Sequence, residues 1–152
     1  MSEEQKQPVF SIEKIYVKDL SLEIPHAPQV FMQRETPKVD VQLHNKGEMV
    51  EEGIYETVLT VTVTAKLADD KTLFLAEAAQ AGIFQIRDVP QGDMEPILGI
   101  TCPNILFPYV REVISDLVSR AGFPPVLLNP VNFDLMYQQR QAEQEAGAAT
   151  AH

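Results

Sequence analysis

The sequence is poor in the residues that usually carry covalent chemistry. It has a single cysteine, Cys102, and three histidines, His26, His44 and His152, in 152 residues. One cysteine excludes an internal disulfide framework and fits a reducing compartment. No two histidines stand at the i, i+4 spacing of a helical metal pair, so no metal site is expected. The patterns GxGxxG, GxxxxGKS/T and GxSxG are missing, which leaves nucleotide binding and α/β-hydrolase chemistry without their marks and points to no cofactor. Basic residues are scarce: twelve Lys and Arg stand against 22 Asp and Glu, for a net charge of −10, and they form no run. That argues against nucleic acid and anionic membrane surfaces as partners. No unbroken apolar run reaches the eighteen or so residues of a bilayer span. The opening MSEEQKQP lacks an apolar h-region, so the expectation is a cytoplasmic chain with no direct membrane insertion.

What is present is a chain with 45% hydrophobic residues, enough for one real core. A single domain is expected over 9–145, between disordered ends at 1–8 and 146–152. Val9 to Glu23 reads as a strand whose apolar phase slips twice, from Phe10 and Ile12 to Ile15 and Val17 and back to Leu20 and Leu22. Such slips predict bulges. Ile24 to Pro37, with three prolines, reads as a connection. Val39, Val41 and Leu43 alternate with polar residues as a second strand, and Asn45 to Gly53 reads as a polar loop. Tyr55 to Leu67 is the clearest strand. Ala68 to Lys71 forms a turn into a fourth, Thr72 to Phe84. Short connections make these strands antiparallel.

The longest helical period lies between Cys102 and Pro125. Ile105, Leu106, Tyr109, Val110, Val113, Ile114, Leu117 and Val118 recur at i, i+3, i+4 and i+7. Gly122 and Pro124-Pro125 stop the helix, and Pro108 is expected to kink it or delay its start. Pro90 to Gly99 reads as an irregular lead-in. A last helix runs from a capping Asn132 to about Glu145. Strands first and helices after predict an α+β fold: a four-stranded antiparallel sheet with a long helix and a shorter C-terminal helix packed on one face. Phe74, Ala76, Ala78 and Gln80 on one side of strand four, and Leu73, Leu75 and Ala79 on the other, leave both faces largely apolar. With the wide apolar stripe of the helix, this points to self-association. An ordinary monomer core fits the same residues.

CPNILFPYVRE from Cys102, VSRAGFPP, and NPVNFD from Asn129 to Asp134 closely resemble the SecB family of bacterial protein-export chaperones. So do KIYVKDLSLEIPHAPQVF from Lys14, YETVLTVTVTAKL from Tyr55 and AGIFQI from Ala81. The similarity runs in one order from about Phe10 to Tyr137. It implies the same fold and a homotetramer, a dimer of dimers. Phe74, Ala76, Ala78 and Gln80, with Tyr109, Val113 and Leu117 of the helix, would form the oligomer interface.

The resemblance also implies two binding sites and no enzymatic activity. Apolar and methionine-bearing segments, Val30 and Phe31 beside Met32, then Val39, Val41 and Leu43, then Phe133, Leu135, Met136 and Tyr137, match the family's groove for unfolded precursor polypeptides. Methionines and mobile apolar loops suit a site that accepts many shapes. Taken alone, such residues read better as core; the resemblance reverses that order. The family's tryptophan before the second strand has no counterpart, since Arg34, Glu35 and Thr36 stand there, so a thinner aromatic wall is expected. Asp19, Glu23, Leu75 and Glu77 match the outer-sheet positions that dock the translocase motor SecA. The implied function is a cytoplasmic, ATP-independent holdase that keeps precursors export-competent and delivers them to SecA. The alternative is a SecB-like chaperone dedicated to one client, such as an antitoxin. A small enzyme using Cys102 is the distant rival.

Overall fold

Strict alternation in the third strand decides the architecture. In the computed structural model, which describes residues 6–150, four strands form one antiparallel sheet: β1 (Val9–Glu23), β2 (Lys38–Glu51), β3 (Ile54–Lys66) and β4 (Thr72–Arg87), in the spatial order β1-β4-β3-β2. Of the loose ends expected at 1–8 and 146–152, residues 1–5 and 151–152 lie outside the described residues. Leu59, Val61, Val63 and Ala65 of β3 sit on the same face as Phe74, Ala76 and Ala78 of β4, and all are buried. β1 carries register shifts at Ile12/Lys14 and Val17/Asp19, where its apolar phase slips. Gln80, buried on the same face of β4, donates through Nε2 to the Tyr16 carbonyl beside the second shift, at 3.1 Å.

Several boundaries differ from the sequence reading. Asn45 to Glu51 continues β2 instead of looping, because Asn45, Gly47 and Met49 pair with Leu59, Thr57 and Tyr55. The turn shrinks to Glu52-Gly53, with Gly53 at φ 78°. The strand survives its polar composition because it is an edge with one face in water. β4 likewise runs on to Arg87.

The lead-in to the long helix is helical too. Gln91–Asp93 forms a 3₁₀ turn, α1 (Met94–Pro96) a single α turn, Ile97–Thr101 a π turn, and α2 (Cys102–Arg120) follows without a break. Pro108 lies inside α2 and does not delay its start. The π turn answers a local problem. The Cys102 N–H donates to the Ile97 carbonyl, five residues back. In that register the Leu98 carbonyl would next accept from Pro103, which has no N–H. Asn45 Nδ2 of β2 donates to it instead, at 3.2 Å, and ties sheet to helix. The whole rod, Gln91–Arg120, is 30 residues long and apolar enough on average to pass as a membrane span. The search for an unbroken apolar run misses this, because scattered polar residues interrupt the run without lowering the mean enough. Here one face of it packs on the sheet.

α2 lies across β3 and β4, burying Cys102, Leu106, Val110, Ile114 and Val118, a single i, i+4 face. Small residues beneath it allow the approach. A Cβ on Gly82 would meet the Leu106 side chain at 3.0 Å and the Phe84 ring at 2.8 Å. This resolves the apolar character of β4, a central strand with a helix on one side. Phe74, Ala76, Ala78 and Gln80 are therefore buried within their own chain, beneath α2. Asn132 caps α3 (Phe133–Thr150), its Oδ1 accepting from the Leu135 N–H at 3.0 Å. α3 extends five residues beyond the expected end at Glu145.

On the opposite, outer face, Ala79 and Ala81 of β4 are small enough for β1 to reach β3. Tyr16 Oη donates to Glu56 Oε2, and Lys18 Nζ donates to Glu56 Oε1 at 2.8 Å. Burial alone would raise the Glu56 carboxyl, but the hydrogen bonds from Lys18 and Tyr16 outweigh it and hold the group below 4.5. The hydrogen bond to Glu56, with some burial, pushes Tyr16 up to about 12. A lowered acid stabilises the fold above its unfolded pKa and loses that contribution as pH falls through the folded value. A raised phenol stabilises below 10 and loses its contribution between 10 and about 12. Urea titrations at fixed protein concentration are expected to show stability falling on both sides, below about pH 4.5 and above pH 10. Tyr16→Phe should flatten the alkaline limb and cost about 1.5–3 kcal/mol at pH 7, the net worth of one hydrogen bond to a charged acceptor.

Candidate functional site

The end of α2 builds the first wall of a groove. Gly122, at φ 93°, lets the Gly122 N–H reach the Ser119 carbonyl and the Phe123 N–H reach the Val118 carbonyl, at 3.1 and 3.3 Å. This is a Schellman stop, whose next residue is commonly apolar and turned back on the helix. Here that residue is Phe123. Its ring stacks on Phe31 at 5.2 Å and lies 5.0 Å from Phe74. Phe31 passes close over Gly122, where a Cβ would meet its ring at 3.2 Å. Three rings thus line the wall that the sequence reading expects to be thin for want of tryptophan.

Two cavities open along this wall. One, of about 550 Å³, lies between Val30 and Phe31 of the connection, Val39 of β2, and Phe74 and Phe123. The second, of about 520 Å³, lies between Val39, Val41 and Leu43 of β2, Phe107 of α2, and the segment from Pro125 to Val131. They share Val39, Pro125 and Val126, and so form one mainly apolar track beside β2. Leu127 stands at its rim, 77% exposed.

Of the residues expected in the groove, Val30, Phe31, Val39, Val41 and Leu43 come together there. Phe133 does not reach its surface: it is buried, edge-on to Phe107 at 5.9 Å, and belongs to the core. Leu135 and Met136 are exposed on α3 and line neither cavity. Tyr137 lies elsewhere, flat on the π turn, where a Cβ on Gly99 would come within 2.7 Å of its ring. It lines a separate cavity of about 420 Å³ with His44, Asn45, Gly47 and Arg140. Phe123, Val126 and Leu127 are groove residues that the sequence reading missed. The signal was present in GFPP, as an apolar residue following a helix-stopping glycine.

The outer face carries the second candidate site. Register places Glu23 opposite Leu75, Ser21 opposite Glu77, and Asp19 opposite Ala79, so Asp19, Glu23, Leu75 and Glu77 share one patch. Glu77 Oε2 accepts from Thr62 Oγ1 at 2.7 Å. The nearby cation, Lys18, is held by Glu56. Among the described residues, Asp19, Glu23 and Glu77 have no ion-pair partner, which leaves the patch acidic.

A third surface is apolar and uncovered. Phe107 turns toward β2, so the opposite flank of α2, with Tyr109, Val113 and Leu117, faces the β1 side. There the helix-side residues of β1 stay open: Ile12 is 49% and Leu20 46% exposed. Cys102 is buried, and burial pushes its thiol up to about 11 against the pull of the Thr57 hydroxyl, so it stays protonated and unreactive at neutral pH. Among the described residues, no three His, Cys, Asp or Glu side chains gather to hold a metal ion.

Residues 3–144 match the family model described as preprotein translocase subunit SecB. The chain is 65% identical to the protein-export protein SecB of Methylobacillus flagellatus over the full length of both. It is 63% identical to that of Nitrosospira multiformis, over 98% of this chain and 93% of that one, and 62% identical to that of Chromobacterium violaceum, over 98% and 100%. Among solved structures, it shares its fold with a SecB-like chaperone of Mycobacterium tuberculosis in complex with a peptide from the HigA1 antitoxin. The TM-score is 0.67 at 16% identity, covering 80% of this chain and 90% of that one. By its full-length relatives and its family model, the chain belongs to the SecB family of protein-export chaperones.

Proposed function

We propose that the track beside β2 holds segments of unfolded precursor, and that the acidic outer patch docks the SecA motor that receives them. The observation that carries the first half is the pair of adjoining apolar cavities sharing Val39, Pro125 and Val126. Affinity there comes from burial, at roughly 25 cal/mol per Å² of apolar area removed from water, and burial has no directional demand. The site is therefore tolerant of sequence, as a cytoplasmic holdase requires. By favouring the unfolded chain it shifts the client's folding equilibrium without ATP. The 62–65% relatives named for protein export favour this role over a dedicated antitoxin chaperone. The test is aggregation of a denatured precursor, with and without a molar excess of the protein. Light scattering should stay near baseline in its presence; an unchanged aggregation curve defeats the reading.

The second half rests on charge. Asp19, Glu23 and Glu77 lack neutralising partners among the described residues, and Leu75 offers an apolar anchor between them. Such a patch steers a basic segment to itself, like the basic, zinc-binding tail that the family's motor presents.

Assembly completes the proposal. The open flank of α2 and the helix side of β1 leave a continuous apolar surface that water does not favour. Tyr109, Val113 and Leu117 contact a second copy directly in this reading, while Phe74, Ala76, Ala78 and Gln80 act from beneath by setting where α2 lies. A homotetramer is expected, so multi-angle light scattering at micromolar concentration should give four times the 17.0 kDa chain mass. A mass of one chain counts against it.

A further inference from the structure

The three acids of the outer patch are not held alike. Asp19 and Glu23 are exposed and lie on β1, a bulged edge strand. Among the described residues neither has an ion-pair partner. Glu77 is half-buried on β4, a central strand, and its Oε2 accepts from Thr62 Oγ1 at 2.7 Å. Register sets the two residues directly opposite each other on β4 and β3. β3 presents three half-buried threonines to the outer face, but Thr60 and Thr64 stand opposite Ala79 and Leu75, which offer no side-chain acceptor. Of the three, Thr62 alone meets a carboxylate. A free glutamate loses more rotamer entropy on docking than most side chains. One whose carboxylate already rests on a cross-strand hydroxyl has lost part of that freedom in advance, and its other oxygen, Oε1, remains for a partner.

Resting on the docking reading above, we infer that the patch divides its work: Asp19 and Glu23 steer the motor's basic segment to the sheet, and Thr62 positions Glu77 for the fixed contact that retains it. Thr62 is a positioning residue, acting through the Glu77 carboxylate. Exposed charges act at a distance and chiefly raise the rate of encounter, in a way that salt screens. A charge-assisted hydrogen bond in fixed geometry acts only at contact and chiefly slows departure. The sheet gives each acid the surroundings for its part. β1 leaves its two carboxylates in water at an edge, whereas β4 sets Glu77 on a rigid central strand beside the apolar Leu75. Thr62 also lies on the side of Glu77 away from Asp19 and Glu23, since β3 and β1 flank β4. Its hydrogen bond therefore draws one carboxylate away from two like charges and widens the patch toward the next strand, about 4.8 Å further on.

The test is the binding kinetics of intact SecA on the intact protein, by surface plasmon resonance. Thr62→Val keeps the shape and the strand preference and removes only the hydroxyl. It should raise the dissociation rate about three- to tenfold, part of the rotamer cost of a freed glutamate, and leave the association rate within about 1.5-fold. Thr62→Ser, which keeps the hydroxyl, should stay within about twofold of the parent in both rates. In a Glu77→Ala background Thr62→Val should change nothing further, because the group it positions is gone. Asp19→Asn with Glu23→Gln should show the reverse split: association slowed about three- to tenfold with a flatter salt dependence, and dissociation nearly unchanged. An unchanged dissociation rate in Thr62→Val overturns the inference. So does an equal loss in Thr62→Ser, which assigns the effect to packing, or the same loss on top of Glu77→Ala, which assigns it to Thr62 itself. If the Asp19 and Glu23 variant quickens dissociation as much as it slows association, the division of work is overturned. Absence of SecA binding by the parent protein overturns the docking reading, and this inference with it.

Discussion

Glu77→Lys is expected to weaken binding of SecA by at least about 30-fold while leaving client binding within about twofold. The side chain lies in the outer patch, opposite Ser21 and two residues from Leu75, and Thr62 orients its carboxylate. Reversal does more than delete an attraction, because it sets a cation against a basic partner. Like-charge juxtaposition at an interface costs about 2 kcal/mol or more, and each 1.4 kcal/mol is tenfold. The groove lies against the opposite face of the sheet, so the two functions should separate in one variant. Surface plasmon resonance with SecA at two salt concentrations, beside an aggregation assay, makes the comparison. Full SecA affinity in the variant removes Glu77 from the docking site. Loss of both activities together indicates damage to the fold, which circular dichroism would reveal.

Leu127→Asp should impair the chaperone itself. The side chain is 77% exposed at the rim of the track, so its replacement leaves the core untouched. Covering a leucine with client contributes about 1.5–3 kcal/mol, and an aspartate in the same place adds a desolvation cost. Client affinity is expected to fall by about 10- to 100-fold. Aggregation suppression should then require a correspondingly higher protein concentration, with SecA binding and oligomer mass unchanged. Leu127→Met should restore most of the activity, because methionine keeps the volume and the apolar surface. An aspartate variant as active as the parent would place the client elsewhere.

Much of the acidic patch was legible because a strand carries its own geometry. Asp19 and Glu23 are four apart and follow the last bulge, so alternation alone puts them on one face. Leu75 and Glu77 follow the same rule on β4. That the two pairs are neighbours needed the register, which pairs Glu23 with Leu75 and joins β1 to β4 across more than fifty residues of chain. The groove was legible in half. Val39, Val41 and Leu43 alternate plainly, yet whether an apolar stripe is floor, wall or core depends on what covers it. Phe133 looked like a groove residue and is core, and Phe123, for which the sequence reading gave no role, is wall. The two cannot be told apart by composition, because both are aromatic residues next to helix ends.

The sequence by itself determined the elements and their phases: four strands, two bulges, a long helix that stops at Gly122, and a last helix capped by Asn132. These follow from nearest-neighbour sterics, hydrogen bonding and period, which act over a few residues. Only the tertiary structure decided that the polar stretch after Leu43 stays a strand, that the lead-in to α2 winds through a π turn pinned by Asn45, and that β4 spends Phe74 to Gln80 beneath α2. Each depends on a partner distant in the chain, such as the β3 ladder, an orphan carbonyl or a covering helix, and a local pattern holds no record of it.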